Sequence, residues 1–190
     1  MKRIVVGISG SSAPILGVRL LEVLRDIPEI ETHLVVSDTV AQTLSYEAPG
    51  WDLPKLQSLA TVHYPNHQLA AAISSGSFAT DAMVVIPCSM RTLAAIATGL
   101  SDNLLTRAAD VTLKERRPLI LVARETPLHL THLRNMTAVT EMGGIIVPPV
   151  MAFYHQPKTI QDLVDHTVGK VLDLMKIPHA LFHRWQGPKS

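Results

Sequence analysis

The sequence has one cysteine, few charged residues and no hydrophobic run long enough to cross a membrane. The single Cys88 excludes an internal disulfide bond and a metal site built from several cysteines. A net charge of +1 over 190 residues provides no overall field that would attract nucleic acid. Because the longest apolar runs have only the length of a strand, the sequence predicts no membrane span, and a cytoplasmic protein fits these absences best.

Hydrophobic residues, in contrast, are abundant, at 47% against 17% charged residues. A chain of 190 residues is ordinarily one domain that buries a full core, so we expect residues 1–190 to form a single domain. A surface with so little charge leaves apolar area for contacts between subunits, and we therefore expect a homo-oligomer.

Short, continuous apolar runs alternate with segments of helical periodicity. Continuous hydrophobicity is typical of strands covered on both faces, as in a parallel sheet. The predicted strands are Ile4–Ile8, His33–Val36, Met83–Ile86, Leu119–Ala123 and Ile145–Val147. The predicted helices are Ile15–Arg25, Thr39–Tyr46, Leu93–Thr98, Leu104–Glu115, Leu130–Met142 and Ile160–Met175. This order predicts an α/β fold, a three-layer α/β/α Rossmann-like (flavodoxin-like) doubly wound parallel sheet.

Two segments depart from this alternation. Residues 48–68 hold three prolines and no clear period, and we expect an irregular excursion that acts as a lid or an oligomer contact. The C-terminal tail, residues 178–190, also lacks a period and could reach a neighbouring subunit.

Cations cluster around one of the apolar runs. Arg107 and Lys114 precede the run Leu119–Ala123, and Arg124 and Glu125 follow it directly. The carboxyl end of a buried strand is where ligands bind in an open α/β sheet. An Arg-Glu pair there predicts an anion site with an acid/base group beside it, and hence an enzyme that acts on phosphate-bearing ligands.

The first strand runs into a loop of small residues, Gly7–Pro14, before a helix. Such a loop lets backbone N–H groups approach an anion at the positive end of the helix, and Ser9, Ser11 and Ser12 add donors. A plain turn with a serine N-cap explains the same residues. The loop has neither the G-x-G-x-x-G pattern nor the G-K-[ST] pattern, so by itself it identifies no ligand.

A second strand-to-helix junction, Ile86–Thr92, offers Ser89 and Thr92 to a polar ligand. Cys88 in it suggests a nucleophile, but no base accompanies it, and a small buried hydrophobe is the commoner role. His129 and His132 have a spacing that suits a metal, yet they lack the glutamate of H-E-x-x-H, and surface histidines are commoner than ligands. Tyr154, after a proline pair, lies either at a site mouth or in a packed loop corner.

Together these segments closely resemble the flavin prenyltransferases of the UbiX/Pad1 family. The resemblance runs from KRIVVGISGSS to the tail RWQG, nearly the whole chain. Its most specific parts are Gly7–Ser12, Ser74–Ser77, Pro87–Ser89, Arg107–Val111, Leu113–Pro118, Arg124–Glu125 and Pro148–Pro157.

The resemblance implies a Rossmann-like flavoprotein and a large homo-oligomer, usually a dodecamer. It implies transfer of a dimethylallyl group from dimethylallyl monophosphate to N5 and C6 of reduced FMN without a metal. The product, prenylated FMN, goes to a UbiD-type decarboxylase as partner. FMN is therefore a substrate as well as a bound cofactor.

The resemblance also implies the roles of individual residues. Ser12, Glu47 and Glu125 would handle protons in catalysis. The FMN contacts would be Gly10, Ser11, Ser12, Ser37, Ser89, Met90, Arg91, Thr92 and Arg124. The residues that hold the dimethylallyl phosphate, often across a subunit boundary, would be Lys114, Arg124, Tyr154 and Lys170.

Two departures from the family pattern stand out. Ala13-Pro14 replaces a frequent glycine after the loop serine, and proline suits the first turn of a helix. Lys170 stands where many relatives carry arginine, so it keeps the charge but cannot bind phosphate in the bidentate manner of arginine.

Two alternative functions remain at this point: an FMN-dependent cysteine decarboxylase of the same fold, and a non-catalytic flavin-binding subunit.

Overall fold

The computed structural model describes residues 1–187. Its centre is a parallel sheet of six strands in the order β3-β2-β1-β4-β5-β6. The strands are β1 (Lys2–Ile8), β2 (Ile30–Val36), β3 (Val62–Tyr64), β4 (Ala82–Cys88), β5 (Leu119–Ala123) and β6 (Ile145–Ile146). The helices are α1 (Ile15–Arg25), α2 (Val40–Glu47), α3 (Leu53–Gln57), α4 (Met90–Thr98), α5 (Leu104–Lys114), α6 (Leu130–Glu141) and α7 (Ile160–Leu174).

The central strands are apolar along their whole length because helices cover both faces of the sheet. All residues of β4 and β5 are buried. Successive residues of β1 serve opposite layers, so that Ile4 and Val6 pack with α1 and α7, while Val5 packs with α4 and α5. This arrangement confirms the predicted three-layer, doubly wound fold.

The strand order reverses between β1 and β4, which are adjacent although two strands separate them in sequence. Gly7 of β1 is in register with Val35 of β2 and with Val85 of β4. The loops that follow these three strands therefore emerge at the same edge of the sheet. In doubly wound sheets, ligands bind in the crevice that forms there.

The segment 48–68 is more regular than expected, because it contains α3 and the edge strand β3. Asp52 caps α3 by accepting a hydrogen bond from the Lys55 amide at 2.8 Å. Strand β3 is only Val62-His63-Tyr64, with His63 exposed, so its sequence lacks the apolar run of the other strands. The excursion thus completes the sheet.

The C-terminal tail follows α7 and, as far as Gly187, folds back on that helix without forming a helix or strand. The Phe182 ring lies 4.8 Å from His166, and Arg184 forms an ion pair with Asp173 at 2.6 Å. The described part of the tail therefore packs on its own chain, and residues 188–190 lie outside the described range. None of the helices in residues 1–187 has the length and apolarity needed to cross a membrane.

Candidate active site

A cavity of about 810 Å³ opens at the switch point of the sheet. Ligand pockets in proteins have volumes of roughly 300–1,000 Å³, so this one suits a nucleotide-sized molecule. Its wall comes from the loops after β1, β2 and β3, from α4 with its N-cap, and from the connection between α4 and α5 with the first turn of α5. The polar and charged residues of the wall are Ser37, Asp38, Thr39, Asn66, His67, Ser89, Arg91, Thr92, Thr98, Asp102, Asn103 and Thr106.

Gly10 lines this cavity where the β1 loop meets the β2 loop. A Cβ atom on Gly10 would lie 1.8 Å from Thr39 Oγ1 and 2.8 Å from Thr39 Cβ. The two loops therefore approach each other too closely for any other residue, and Gly10 presents its bare backbone to the cavity.

The loop serines join neighbouring loops and do not cap α1. Ser9 is 1% exposed; its hydroxyl donates to the Pro87 carbonyl at 3.0 Å and accepts from the Ser89 amide at 2.7 Å. Ser11 Oγ donates to the Arg124 carbonyl at 3.2 Å. The N-cap position of α1 belongs to Pro14, which has no capping side chain. The simple serine N-cap interpretation is therefore wrong, and the serines fix the loops after β1, β4 and β5 together.

Ser12 and Glu47 meet where the β1 loop runs into α1, and neither residue lines the cavity. Glu47 Oε2 accepts hydrogen bonds from Ser12 Oγ and from the Ala13 amide, both at 2.7 Å. Glu47 is the last residue of α2, so the helix end places a carboxylate beside the β1 loop. A hydroxyl held by a carboxylate can pass a proton in either direction.

Helix α4 begins at the cavity and directs its free amides there. Ser89 is its N-cap: it accepts from the Thr92 amide at 3.3 Å and donates to Thr92 Oγ1 at 3.1 Å. The first turn contains no acidic residue, and the exposed Arg91 lines the cavity. The positive end of the helix and a guanidinium together favour an anionic ligand.

Cys88 lies under the site but is fully buried at the end of β4. Burial raises the pKa of its thiol to about 12, so it remains protonated at neutral pH. A nucleophilic cysteine requires a thiolate, and Cys88 therefore serves as a small core residue.

Arg124 and Glu125 follow β5 at the same edge of the sheet, as the sequence predicts. The Arg124 amide donates to the Cys88 carbonyl at 3.1 Å, which ties the β5 loop to the β4 loop. Glu125 is exposed and accepts from the Thr126 amide at 3.0 Å. A cation and a carboxylate thus lie next to the loops that hold Ser11 and Ser89.

Lys114 does not join this group in the single chain. Helix α5 begins at Leu104, with Leu105 and Thr106 in the cavity wall, and ends ten residues later at Lys114. At a rise of 1.5 Å per residue this separation is about 15 Å, which puts Lys114 near the opposite edge of the sheet. There its ammonium pairs with Glu115 and lies beside Gly76.

Tyr154 and Lys170 form a separate group on the segment after β6 and on α7. The Tyr154 hydroxyl lies 2.8 Å from His166 Nε2. Lys170 follows His166 by one helical turn, on the same face of α7. Within residues 1–187, neither Tyr154 nor Lys170 lines the cavity.

Sequence reasoning missed several polar residues of the wall. Asn66 accepts from the Leu104 and Leu105 amides, at 2.7 Å through its carbonyl and 3.1 Å through its side chain, and so fixes the start of α5. It lies two residues past β3, the strand that the sequence did not predict. Thr39, in contrast, had a usable signal, because it stands just past the predicted strand His33–Val36.

The histidine pair His129 and His132 has a structural role. His129 is the N-cap of α6, and its Nδ1 accepts from the His132 amide at 3.4 Å. In the part of the chain that the structure describes, no group of three or more histidine, cysteine or acidic residues is arranged to hold a metal ion.

The sequence is similar to that of known flavoproteins over nearly its whole length. Residues 1–176 match the family model named Flavoprotein. The chain is 57% identical over 189 residues to the flavin prenyltransferase UbiX of Escherichia coli K12, covering 98% of this chain and 100% of that protein.

Two crystal structures superpose on nearly the whole chain. One is AnUbiX (PadA1) in complex with FMN and dimethylallyl pyrophosphate, with TM-score 0.96, 47% identity and coverage of 99% of each chain. The other is a dodecameric FMN-dependent UbiX-like decarboxylase from Escherichia coli O157:H7, with TM-score 0.95 and 48% identity, covering 97% of this chain and 100% of that one.

Proposed function

The chain belongs to the UbiX/Pad1 family of flavin prenyltransferases, enzymes that prenylate FMN, and we propose how this one does so. It transfers a dimethylallyl group from dimethylallyl monophosphate to N5 and C6 of reduced FMN and releases phosphate. The observation that supports this proposal is the cavity at the switch point, lined by five of the residues that the sequence resemblance assigns to FMN.

The described residues fit FMN. Gly10, Ser37, Ser89, Arg91 and Thr92 line a cavity of about 810 Å³, and these five residues bring bare backbone, hydroxyls and one cation to a wall that also carries Asp38 and Asp102. We add Ser11, Ser12, Met90 and Arg124 to the proposed FMN contacts, because they belong to the same hydrogen-bonded loops or the same helix start. Bound reduced FMN supplies the electron-rich ring atoms that accept the allylic group.

Cationic side chains stabilise the departing phosphate. Cleavage of the allylic ester builds negative charge on the phosphate oxygens, and fixed Lys and Arg donors offset that charge. We propose Lys114, Arg124 and Lys170 for this role, with the neutral Tyr154 hydroxyl as a further donor to the phosphate, without a metal ion. Because Lys114 lies about 15 Å along α5 from the cavity of its own chain, we propose that it serves the site of a neighbouring subunit.

Proton transfer is the role of Ser12, Glu47 and Glu125. The first new bond, at N5, replaces the bond to phosphate and releases the N5 proton. The second, at C6, forms as the prenyl double bond takes up one proton, and C6 then loses its own proton so that the ring regains aromaticity. The Glu47 carboxylate, hydrogen-bonded to Ser12 at 2.7 Å, is the proposed acceptor of that proton. Glu125, next to Arg124, is the proposed donor to the leaving phosphate.

The enzyme acts as a homo-oligomer, and we propose a dodecamer like that of the superposed E. coli protein. Exposed apolar side chains on the 148–157 segment, among them Val150, Met151 and Phe153, provide surface for subunit contacts. We further propose that the product passes to a UbiD-type decarboxylase and that both act in the cytoplasm.

A decarboxylase is the second candidate, since one superposed protein carries that name. The two activities make different demands: an FMN-dependent decarboxylase leaves the flavin mass unchanged, whereas a prenyltransferase increases it. The curated relative with 57% identity and the structure that binds a dimethylallyl ester favour prenyl transfer.

A mass spectrum of the flavin tests the proposal directly. Purified protein is mixed without oxygen with reduced FMN and dimethylallyl monophosphate, and a second sample receives the diphosphate ester. We expect a flavin gain of one C5H8 unit with the monophosphate, and loss of that gain in Lys114→Ala. Lys158→Ala, which alters an exposed lysine outside the proposed site, is the matched control. Unchanged flavin despite demonstrated FMN binding would overturn prenyl transfer, and a gain only with the diphosphate would correct the donor.

A further inference from the structure

His166 is a buried titratable residue that the proposed reaction does not use. It lies on α7 with 7% of its surface exposed. Its Nε2 atom is 2.8 Å from the Tyr154 hydroxyl. Tyr154 itself is 48% exposed, on a segment without helix or strand. Its orientation therefore depends on the histidine behind it.

The imidazole of His166 is held rigidly. The His155 ring stacks on it in parallel, with centroids 4.7 Å apart and an interplanar angle of 9°. The Phe182 ring packs against it at 4.8 Å. With both neighbours in place, the ring has little freedom to rotate, and Nε2 points at a fixed position. A hydrogen bond from such a ring orients its partner at little entropic cost.

Burial and the neighbouring charges favour the neutral form of His166. Burial, followed by the His155 imidazole and the Lys170 ammonium, holds the pKa of His166 below its ordinary value. A neutral imidazole carries one N–H, which lies on either Nδ1 or Nε2. Phosphate oxygens accept hydrogen bonds, so Tyr154 can bind a phosphate only by donating its single hydroxyl proton. The phenol oxygen must then accept from Nε2–H.

We propose that His166 is a positioning residue for the prenyl donor: its Nε2–H donates to the Tyr154 oxygen and directs the phenol proton to the donor's phosphate. Lys170 lies one turn further along the same face of α7, so hydroxyl and ammonium converge on one phosphate. This inference rests on the proposed function, since it requires Tyr154 to contact the donor.

Four variants of the full-length protein test the inference in the prenyl-transfer assay: His166→Phe, His166→Gln, Tyr154→Phe and His166→Phe/Tyr154→Phe. Phenylalanine keeps the stacked ring but removes both nitrogens, and glutamine restores an N–H near the position of Nε2. We expect His166→Phe to raise the donor KM about tenfold, with less effect on kcat and none on FMN affinity. His166→Gln should recover most of the loss. His183→Ala, an exposed histidine of the tail, is the control.

The double variant decides whether His166 acts through Tyr154. If it does, His166→Phe has no further effect on the donor KM once the Tyr154 hydroxyl is gone. The inference would be overturned if the fold-changes in donor KM of the two single variants multiplied in the double variant. It would also be overturned if Tyr154→Phe raised the donor KM and His166→Phe left it unchanged. A wild-type protein without prenyl transfer would instead overturn the proposed function, and the two failures are thereby distinguished.

Discussion

The two halves of the proposed active site are built in different ways. The flavin half consists of the loops after β1, β4 and β5 with the end of α2, and buried hydrogen bonds such as Ser9–Pro87 and Ser11–Arg124 hold it together. The donor half consists of Lys114, at the far end of α5, and of the pair Tyr154 and Lys170 beside α7. All three residues are exposed, and α5 and α7 cover opposite faces of the sheet. Folding of one chain completes the first half, whereas the second half needs assembly.

Among the predictions that follow, we expect substitution of Glu47 in the flavin half to change the rate of prenyl transfer most. Glu47→Gln keeps an oxygen for the hydrogen bonds from Ser12 and Ala13 but removes the base. Loss of a general base typically costs about 10²–10⁴ in rate, so we expect a fall of that size in the rate of prenyl transfer. FMN affinity, measured by fluorescence titration, should stay within about threefold because the loop keeps its shape.

The control for this variant is Glu22→Gln, which neutralises a carboxylate of α1 that pairs with Arg19 outside the site. It should leave the prenyl-transfer rate near that of the wild type. If Glu47→Gln also retained the wild-type rate, the carboxylate would have only a structural role at the β1 loop, and the flavin half would lack its proposed base.

Mixed oligomers test whether the donor half crosses between subunits. Lys114→Ala and Glu47→Gln chains, each nearly inactive, are unfolded together and reassembled in equal amounts. If Lys114 serves a neighbour, some sites combine an intact Glu47 from one chain with an intact Lys114 from the other. Random assembly in a closed symmetric oligomer predicts recovery of about a quarter of the wild-type activity.

The matched control mixes Glu47→Gln with Ser12→Ala chains, whose altered residues lie in the same half of the site. These mixtures should recover nothing, because each site draws both residues from one chain. Failure of the Lys114 mixture to exceed the mean of its two components would show that Lys114 acts within its own chain. The contrast between the two halves would then be lost.

The sequence predicted the central sheet well because its strands carry their own signal. The runs at β1, β4 and β5 are continuous and apolar since both faces are buried, and the helices between them have amphipathic periods. Strand β3 was missed because an edge strand of three residues with an exposed His63 has no such run. Its place in the sheet depends on register with His33–Val35, which is tertiary information.

The flavin half was likewise predictable from strand ends, but the donor half was not. Gly10, Ser89 and Arg124 follow predicted strands, and parallel strands bring their ends to one edge. Lys114 looked like part of the same anion site because it is close in sequence to Arg124. Strand β5 lies between them and places them at opposite edges of the sheet, and no sequence pattern states which subunit a side chain serves. His166 was missed because a histidine in an amphipathic helix has no distinctive spacing.

The smallest expected effect concerns Ala13. It lies between Ser12, which donates a hydrogen bond to Glu47, and Pro14, the N-cap residue of α1. Ala13 has φ of 70°, in the left-handed region that costs a residue with a Cβ about 1–2 kcal/mol. Ala13→Gly removes this cost. Glycine, however, raises the conformational entropy of the unfolded chain, which destabilises the folded state by about 0.5–1 kcal/mol. We therefore expect a net stabilisation of about 0.5 kcal/mol, seen as a rise in Tm of about 1–2 °C at fixed protein concentration.

The control for that change is Ala41→Gly on α2, where alanine has ordinary helical geometry and glycine should lower Tm. A lower Tm in Ala13→Gly as well would mean that the fixed Ala13 backbone, whose amide donates to Glu47, stabilises the loop more than its conformation costs. The donor KM offers the second readout. Since Ala13 belongs to the flavin half alone, the donor KM of Ala13→Gly should equal that of the wild type. A changed donor KM would mean that strain in the β1 loop affects the donor half.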